Sequence, residues 1–271
     1  MSSLKFTTTT AKATASATDE VYVYQPIEGQ IISDFAFGSS SAQTVTISFW
    51  VKSSLTGTFS GMLRTSDAGS PPAYRSYIFN YTINTANTWE QKAISIAGDT
   101  STVFTVHTGV SQGLCVLFDL GSGSNYEQTA GSWQTANKYR SSGSVRTIGT
   151  ASATWQVTGV QLEPGPVATP FERRPFTTEI GLCQRYYLTT TASVRGYASG
   201  AGQFFSNAAY FPVNMRATPS SVSFLAGGGS TSNASVSLVA PSSIGVRHEI
   251  SSSAAGDTYS IDRTIIANAE L

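Results

Sequence analysis

Catalysis needs groups that converge: a nucleophile beside a base, a pair of carboxylates, or a set of metal ligands. The chain has two histidines, His107 and His248, far apart along it. Val103, Thr105 and His107 read as one face of a short strand, and His248 in Val246-Arg-His-Glu-Ile250 reads as a surface strand residue. Neither has an acid or serine motif that would make it a catalytic base. The acids Asp19, Glu20, Glu28, Asp34, Asp67, Glu90, Asp99, Asp119, Glu127 and Glu163 are scattered, as solvated or turn-capping carboxylates are. A glycan hydrolase would need two of them to face each other. No Gly-x-Ser-x-Gly elbow, phosphate-binding loop or His-Glu-x-x-His occurs. The glycines of Gly121-Ser-Gly-Ser-Asn125 open no helix, so they form no phosphate cradle. No enzymatic activity is expected.

Recognition chemistry remains. Sugars present C–H faces to aromatic rings and hydroxyls to polar side chains. Trp133, Tyr126 and Tyr139 fall in a polar, Gly/Ser-rich stretch between strands and are the first candidates for glycan contact, with Tyr74 and Tyr77 behind them. The same rings would equally suit a contact between subunits. Trp50, Trp89 and Trp155 fall inside strands, where core packing is the expected role. A structural calcium ion would take hard oxygen ligands. Glu28, Asp34, Asp119 and Glu163 are its candidate ligands, although they form no dense loop motif. No other cofactor is expected.

The elements that must position these residues are strands. Val45, Ile47, Phe49 and Val51 recur at period 2 and define a buried strand face, with Trp50 on the other side. Tyr77 and Phe79 alternate likewise. Trp89 to Ile96, Leu114 to Leu120 (Leu114, Val116, Phe118 and Leu120 on one face), Val145 to Ile148 and Trp155 to Leu162 read as further strands. Short strands separated by turn signals point to an all-β jelly-roll β-sandwich over 21–163. Residues 1–20, rich in Thr, Ala and Ser, form either a flexible arm or an edge strand tied down by something else. Pro164, Pro166, Pro170 and Pro175 mark 164–187 as a connector. It ends in a short helix with Thr177 or Thr178 as N-cap and Glu179, Leu182, Cys183 and Tyr186 on one face. Phe171 and Tyr187 are expected to anchor this connector to one of the domains. A second, smaller β-domain follows over 188–271, with the Ala226–Ser230 glycine run as a hairpin loop.

Composition narrows the partners. Sixteen basic and 16 acidic residues balance, which argues against nucleic acid. Only 12% of residues are charged, against roughly 25% in ordinary domains. Ser, Thr, Gly and Ala take their place, as suits an extracellular β-protein or one that meets its own copies. No apolar run is long enough to span a membrane, so no membrane insertion is expected. Nothing near Met1 reads as a secretory signal. Cys115 and Cys183 are expected to be buried free thiols.

Thr44-Val-Thr-Ile-Ser-Phe-Trp-Val-Lys52, with Asn87-Thr-Trp-Glu90 later and Trp155-Gln-Val-Thr-Gly-Val-Gln-Leu-Glu163 as a last strand, resembles carbohydrate-binding-module jelly rolls. The uneven spacing of Val157, Val160 and Leu162 implies a bulge near Thr158–Gly159. Gly159-Val-Gln-Leu-Glu-Pro-Gly-Pro-Val-Ala-Thr-Pro-Phe-Glu-Arg-Arg-Pro175, followed by Leu182-Cys-Gln-Arg-Tyr-Tyr187, resembles bacteriophage and prophage tail-fibre proteins. So do Phe211-Pro-Val-Asn-Met-Arg-Ala-Thr-Pro219 and Ile266-Ala-Asn-Ala-Glu-Leu271. The resemblance implies a virion component made in the cytoplasm of a bacterial host. It also implies a homotrimer that meets other tail proteins, and one that attaches by binding host-surface glycan. Related jelly rolls often hold one calcium ion. A structural capsid-fibre or decoration protein is the alternative, and a glycan depolymerase the last.

Overall fold

The computed structural model describes residues 2–66, 74–102 and 106–270. Val103, Thr105 and Asp67 lie outside them. The described chain is all-β apart from short helices, and it divides into two compact units at 172/173. Among the described residues no helix is long and apolar enough to cross a membrane.

The described residues of the first unit form nine strands: β1 (Leu4–Thr7), β2 (Tyr22–Glu28), β3 (Val45–Ser53), β4 (Gly57–Ser66), β5 (Tyr74–Ile83), β6 (Glu90–Ile96), β7 (Gln112–Asp119), β8 (Trp133–Gln134) and β9 (Thr154–Pro164). A one-turn helix, α1 (Gly29–Ile32), follows β2. The strands form a four-stranded sheet, β1-β9-β3-β6, and a five-stranded sheet, β2-β7-β4-β5-β8. Their facing sides share one core. Val45, Ile47, Phe49 and Val51 of β3 are at most 1% exposed, and they meet Phe59, Leu63, Phe79, Tyr81, Val116 and Phe118 of the other sheet. This is a β-sandwich, built on the alternation that the sequence shows. Trp155 is fully buried at its centre and donates its indole N–H to the Tyr81 hydroxyl at 3.0 Å, so the largest ring carries no orphaned donor.

Leu4–Thr7 pairs with Thr154–Val157, so this part of the N-terminal arm is an edge strand. The bulge in β9 sits where expected. Ser48 faces Gln161 while Trp50 faces Thr158, and Gly159 takes a φ of +59° there. Val145 to Ile148 is not a strand, because the chain turns there into a 3-10 turn at Thr147–Gly149. His107 is not in a strand either.

The second unit opens with α2 (Phe176–Gln184). It continues with β10 (Tyr187–Ala198), β11 (Phe204–Tyr210), β12 (Ser221–Phe224), β13 (Ser230–Ser232), β14 (Ala234–Ser242), β15 (Gly245–Ser252) and β16 (Gly256–Asn268). One sheet runs β10-β16-β12 with β13 also on β16, and the other runs β11-β15-β14. Leu188, Ala192, Ala209, Phe211, Val246 and Ile265 fill the core between them.

Five expectations fail here. Strands β12 and β13 both pair with β16, so the Ala226–Ser230 run is no hairpin loop but a link between two strands on one neighbour. The N-cap of α2 is Pro175 rather than a threonine, and α2 buries none of its residues, so Cys183 is exposed while Cys115 is buried. The rings of Phe171 and Tyr187 are 48% and 45% exposed, so neither is a buried anchor. His248 is fully buried, because it shares the inward face of β15 with Val246 and Ile250, and its Nε2 meets the Ser260 hydroxyl at 3.2 Å.

Candidate glycan-binding surface

The outer face of the five-stranded sheet is where ring and polar chemistry gather. Strand register sets out its rows. Tyr24 stands opposite Leu117, Leu117 opposite Met62, and Met62 opposite Ile78. One step along, Pro26, Cys115, Arg64 and Ser76 form the next row. An apolar outer row needs a cover, and the long excursion between β7 and β9 supplies it. Tyr139, only 3% exposed, lies with Met62, Ile78, Cys115 and Leu117, and Tyr126 and Ala130 close over the group.

The rings are ordered. Tyr126 stacks on Tyr139 with centroids 4.5 Å apart and planes 7° from parallel. Tyr22 meets Tyr139 edge-on at 5.1 Å, and Tyr24 meets Tyr22 edge-on at 5.7 Å. Three hydroxyls converge on the exposed Glu20 carboxylate: Tyr22 and Tyr139 donate at 3.2 Å, and Tyr126 donates over a short contact. Asn137 donates from Nδ2 to the Tyr139 hydroxyl at 3.2 Å and accepts from Arg64 at 2.6 Å. The Arg64 guanidinium in turn lies 4.6 Å from the Tyr74 ring centre. Burial first, and then Glu20, hold the Tyr22 and Tyr139 phenols above their ordinary range, and the hydrogen bond to Glu20 does the same for Tyr126. All three therefore stay protonated donors at neutral pH.

Beside this cluster lies a polar hollow of about 580 Å³, lined by Asn80, Glu127, Gln128, Thr129, Ser141 and Ser142. The buried Arg140 lies between its lining residues Gln128 and Ser141 in sequence, directly before Ser141. Arg140 donates to the Ser122 carbonyl at 2.7 Å, to the Ser144 hydroxyl at 3.0 Å and to the Ser144 carbonyl. Its Nε lies 3.7 Å from Asp119 and 3.8 Å from Glu127. A second hollow of about 640 Å³ opens between β2 and β9, lined by Val23, Ile27, Val116, Phe118, Val160 and Leu162 among others. Ser2, Ser3, Gln25 and Thr158 also line it, but it has no stacked pair of rings like Tyr126 and Tyr139, so the tyrosine surface suits a sugar better.

The structure thus gathers Tyr126, Tyr139 and Tyr74, but it gives Tyr139 the role of a buried floor. Trp133 and Tyr77 belong elsewhere. They face each other across β8 and β5 with rings 5.6 Å apart, and Phe37 lies 5.5 Å from Trp133. The Trp133 N–H is spent on the Ala97 carbonyl at 2.7 Å, and both rings pack on the main core. Both rings are half-buried, because their strand positions face the core. Glu20, Tyr22, Tyr24, Arg64 and Asn137 were not foreseen. The alternation Glu20-Val-Tyr-Val-Tyr24 carries the signal for three of them: the valines pack on the core, so the acid and tyrosines turn outward.

The four candidate calcium ligands do not converge. Glu28 is buried at one end of the β2–β7 pair and accepts from Gln30 at 2.5 Å, whereas Asp119 lies at the other end. Glu163, on β9, ties down its own loop through the Thr169 amide and hydroxyl, at 2.9 and 2.6 Å. Asp34 is exposed in a short turn. Arg140 already stands beside Asp119 and Glu127, with positive charge where an ion would need to bring it. Among the described residues no group of three or more His, Cys, Asp or Glu is placed to hold a metal.

No protein-family model matches the chain, and no curated protein matches it. Among solved structures, wild-type discoidin II from Dictyostelium discoideum aligns over 83% of this chain and 70% of its own, at 11% identity and a TM-score of 0.20. A likeness at that score carries no argument about this protein.

Proposed function

We propose that this protein is a non-enzymatic adhesion module of a bacteriophage tail fibre that attaches by binding glycan. One observation carries the glycan reading: an ordered, partly exposed tyrosine, Tyr126, backed by the flat ring of Tyr139 and set beside the Glu20 carboxylate. A pyranose stacks its C–H face on such a ring, and its hydroxyls donate to Glu20 and meet the polar hollow alongside. The fibre assignment rests on the resemblance of the proline-rich connector and the C-terminal phrases, and virion location and contact with other tail proteins follow from it.

A glycan array of bacterial surface polysaccharides tests the proposal. Binding is expected, and Tyr126→Ala is expected to weaken it roughly 2- to 10-fold, the range of about 0.5–1.5 kcal/mol for an aromatic face. Glu20→Gln removes the charged acceptor while keeping a side-chain oxygen for the tyrosine hydroxyls, and is expected to weaken binding with only a small drop in melting temperature. An array with no hits would move the protein to the structural class of virion components.

A further inference from the structure

We infer that the sugar held at Tyr126 and Glu20 carries a protonated amine, as a hexosamine without its acetyl group does. This rests on the glycan reading above and narrows its ligand class. The hydrogen bonds at Glu20 carry the argument. Oε2 accepts from the Tyr22 and Tyr139 hydroxyls, each at 3.2 Å, and Oε1 accepts from the Tyr126 hydroxyl. A carboxylate offers about two acceptor positions on each oxygen. Among the described residues Oε2 is therefore filled, and Oε1 keeps one position open. That position lies beside Tyr126, which holds the other one. All three donors are neutral phenols. They aim the carboxylate and leave its charge standing.

The neighbouring acids each have a cation. Asp19 pairs with Lys12 at 2.5 Å, and Asp119 and Glu127 lie 3.7 and 3.8 Å from Arg140. Among the described residues Glu20, although exposed, pairs with none. The cations around it are committed elsewhere. Arg64 donates to Asn137 and lies over the Tyr74 ring, and Lys138 donates to the Asn125 carbonyl. What the site lacks is a positive charge, and the ligand brings it. An ammonium on the open side of Oε1 makes a charge-assisted bond, about twice as strong as the one a neutral sugar hydroxyl makes there. The electron-rich faces of tyrosine rings attract the same ammonium. Tyr22 and Tyr126 are partly exposed beside Glu20, and the exposed Tyr24 continues the row. An acetylated amine carries no charge and gains neither term.

Titration calorimetry of the full chain with chitosan, chitin and cellulose tetramers tests this. The three share one backbone and differ at one ring substituent: amine, acetamide or hydroxyl. In mildly acidic buffer the chitosan tetramer is expected to bind about tenfold tighter than the other two, with the margin shrinking as salt is raised. Glu20→Gln is expected to erase the margin. Asp262→Asn, at an exposed acid of the second unit, is expected to keep it. Equal affinities for the three tetramers, or a margin that survives Glu20→Gln, overturns the inference and leaves the glycan reading standing. A wild type that binds none of the three also overturns it, and the array of surface polysaccharides then decides the glycan reading by itself.

Discussion

Arg140→Ala is the most informative single change. The side chain is 3% exposed, and it lies beside the Asp119 carboxylate, which is itself fully buried. Desolvation raises the Asp119 pKa, and the contacts from Ser122 and Arg140 hold that rise in check. Removing the guanidinium leaves an uncompensated charge inside the protein, at a cost of about 3–5 kcal/mol. For a unit of this size each kcal/mol moves the melting temperature by about 2–4 °C, so the first unit is expected to melt about 6–20 °C lower. Adding Asp119→Asn removes the stranded charge and is expected to recover a large part of the loss. Calorimetry of the two unfolding transitions reads both variants. The pH dependence has a definite sign. A carboxyl whose folded pKa lies above its unfolded value gains stability as pH falls through the folded value, so acidification is expected to rescue Arg140→Ala relative to wild type. An Arg140→Ala protein that melts with wild type, or one made worse by Asp119→Asn, would refute the reasoning.

Burial, and then Arg263, depress the His248 pKa below its ordinary 6.5. The stability this provides is present above pH 6.5 and lost as pH falls through the depressed folded value, so the second transition is expected to weaken with acid and His248→Leu to flatten that dependence. Gly159→Ala places a side chain at a φ of +59° while its nearest neighbours, Trp50 and Phe171, stay at ordinary contact distance, so strain alone is expected to cost about 1–2 kcal/mol in denaturant titration. Cys183 is expected to react at once with a thiol reagent, whereas Cys115, buried and with its pKa pushed up to about 11, reacts only on unfolding.

Much of the sandwich was legible because its inward-facing strand positions are large and apolar at period 2. Val45 to Val51 alternates strictly, and even the β9 bulge showed as an uneven apolar spacing. The second unit was harder to read because its inward positions are small or polar. In Val246-Arg-His-Glu-Ile250 the parity that buries Val246 and Ile250 also buries His248, yet a histidine flanked by charges reads as surface. The candidate surface was half legible. Tyr126, Tyr139 and Tyr74 stood out by type, but Arg64 and Asn137 joined them only through contacts 73 residues apart in sequence, which no local pattern carries. Trp133 lies apart from them because two strand residues inside a loop-like stretch turn its ring toward the core.

Strand β2 bounds the five-stranded sheet, with β7 as its one partner, and Pro26 sits inside it. An edge with free amides invites a strand from the next molecule, and a proline in its middle withholds one donor from any such ladder. Copies of this protein crowded together at high local concentration are thereby discouraged from zipping into ribbons along that margin, and contact between them is left to side chains.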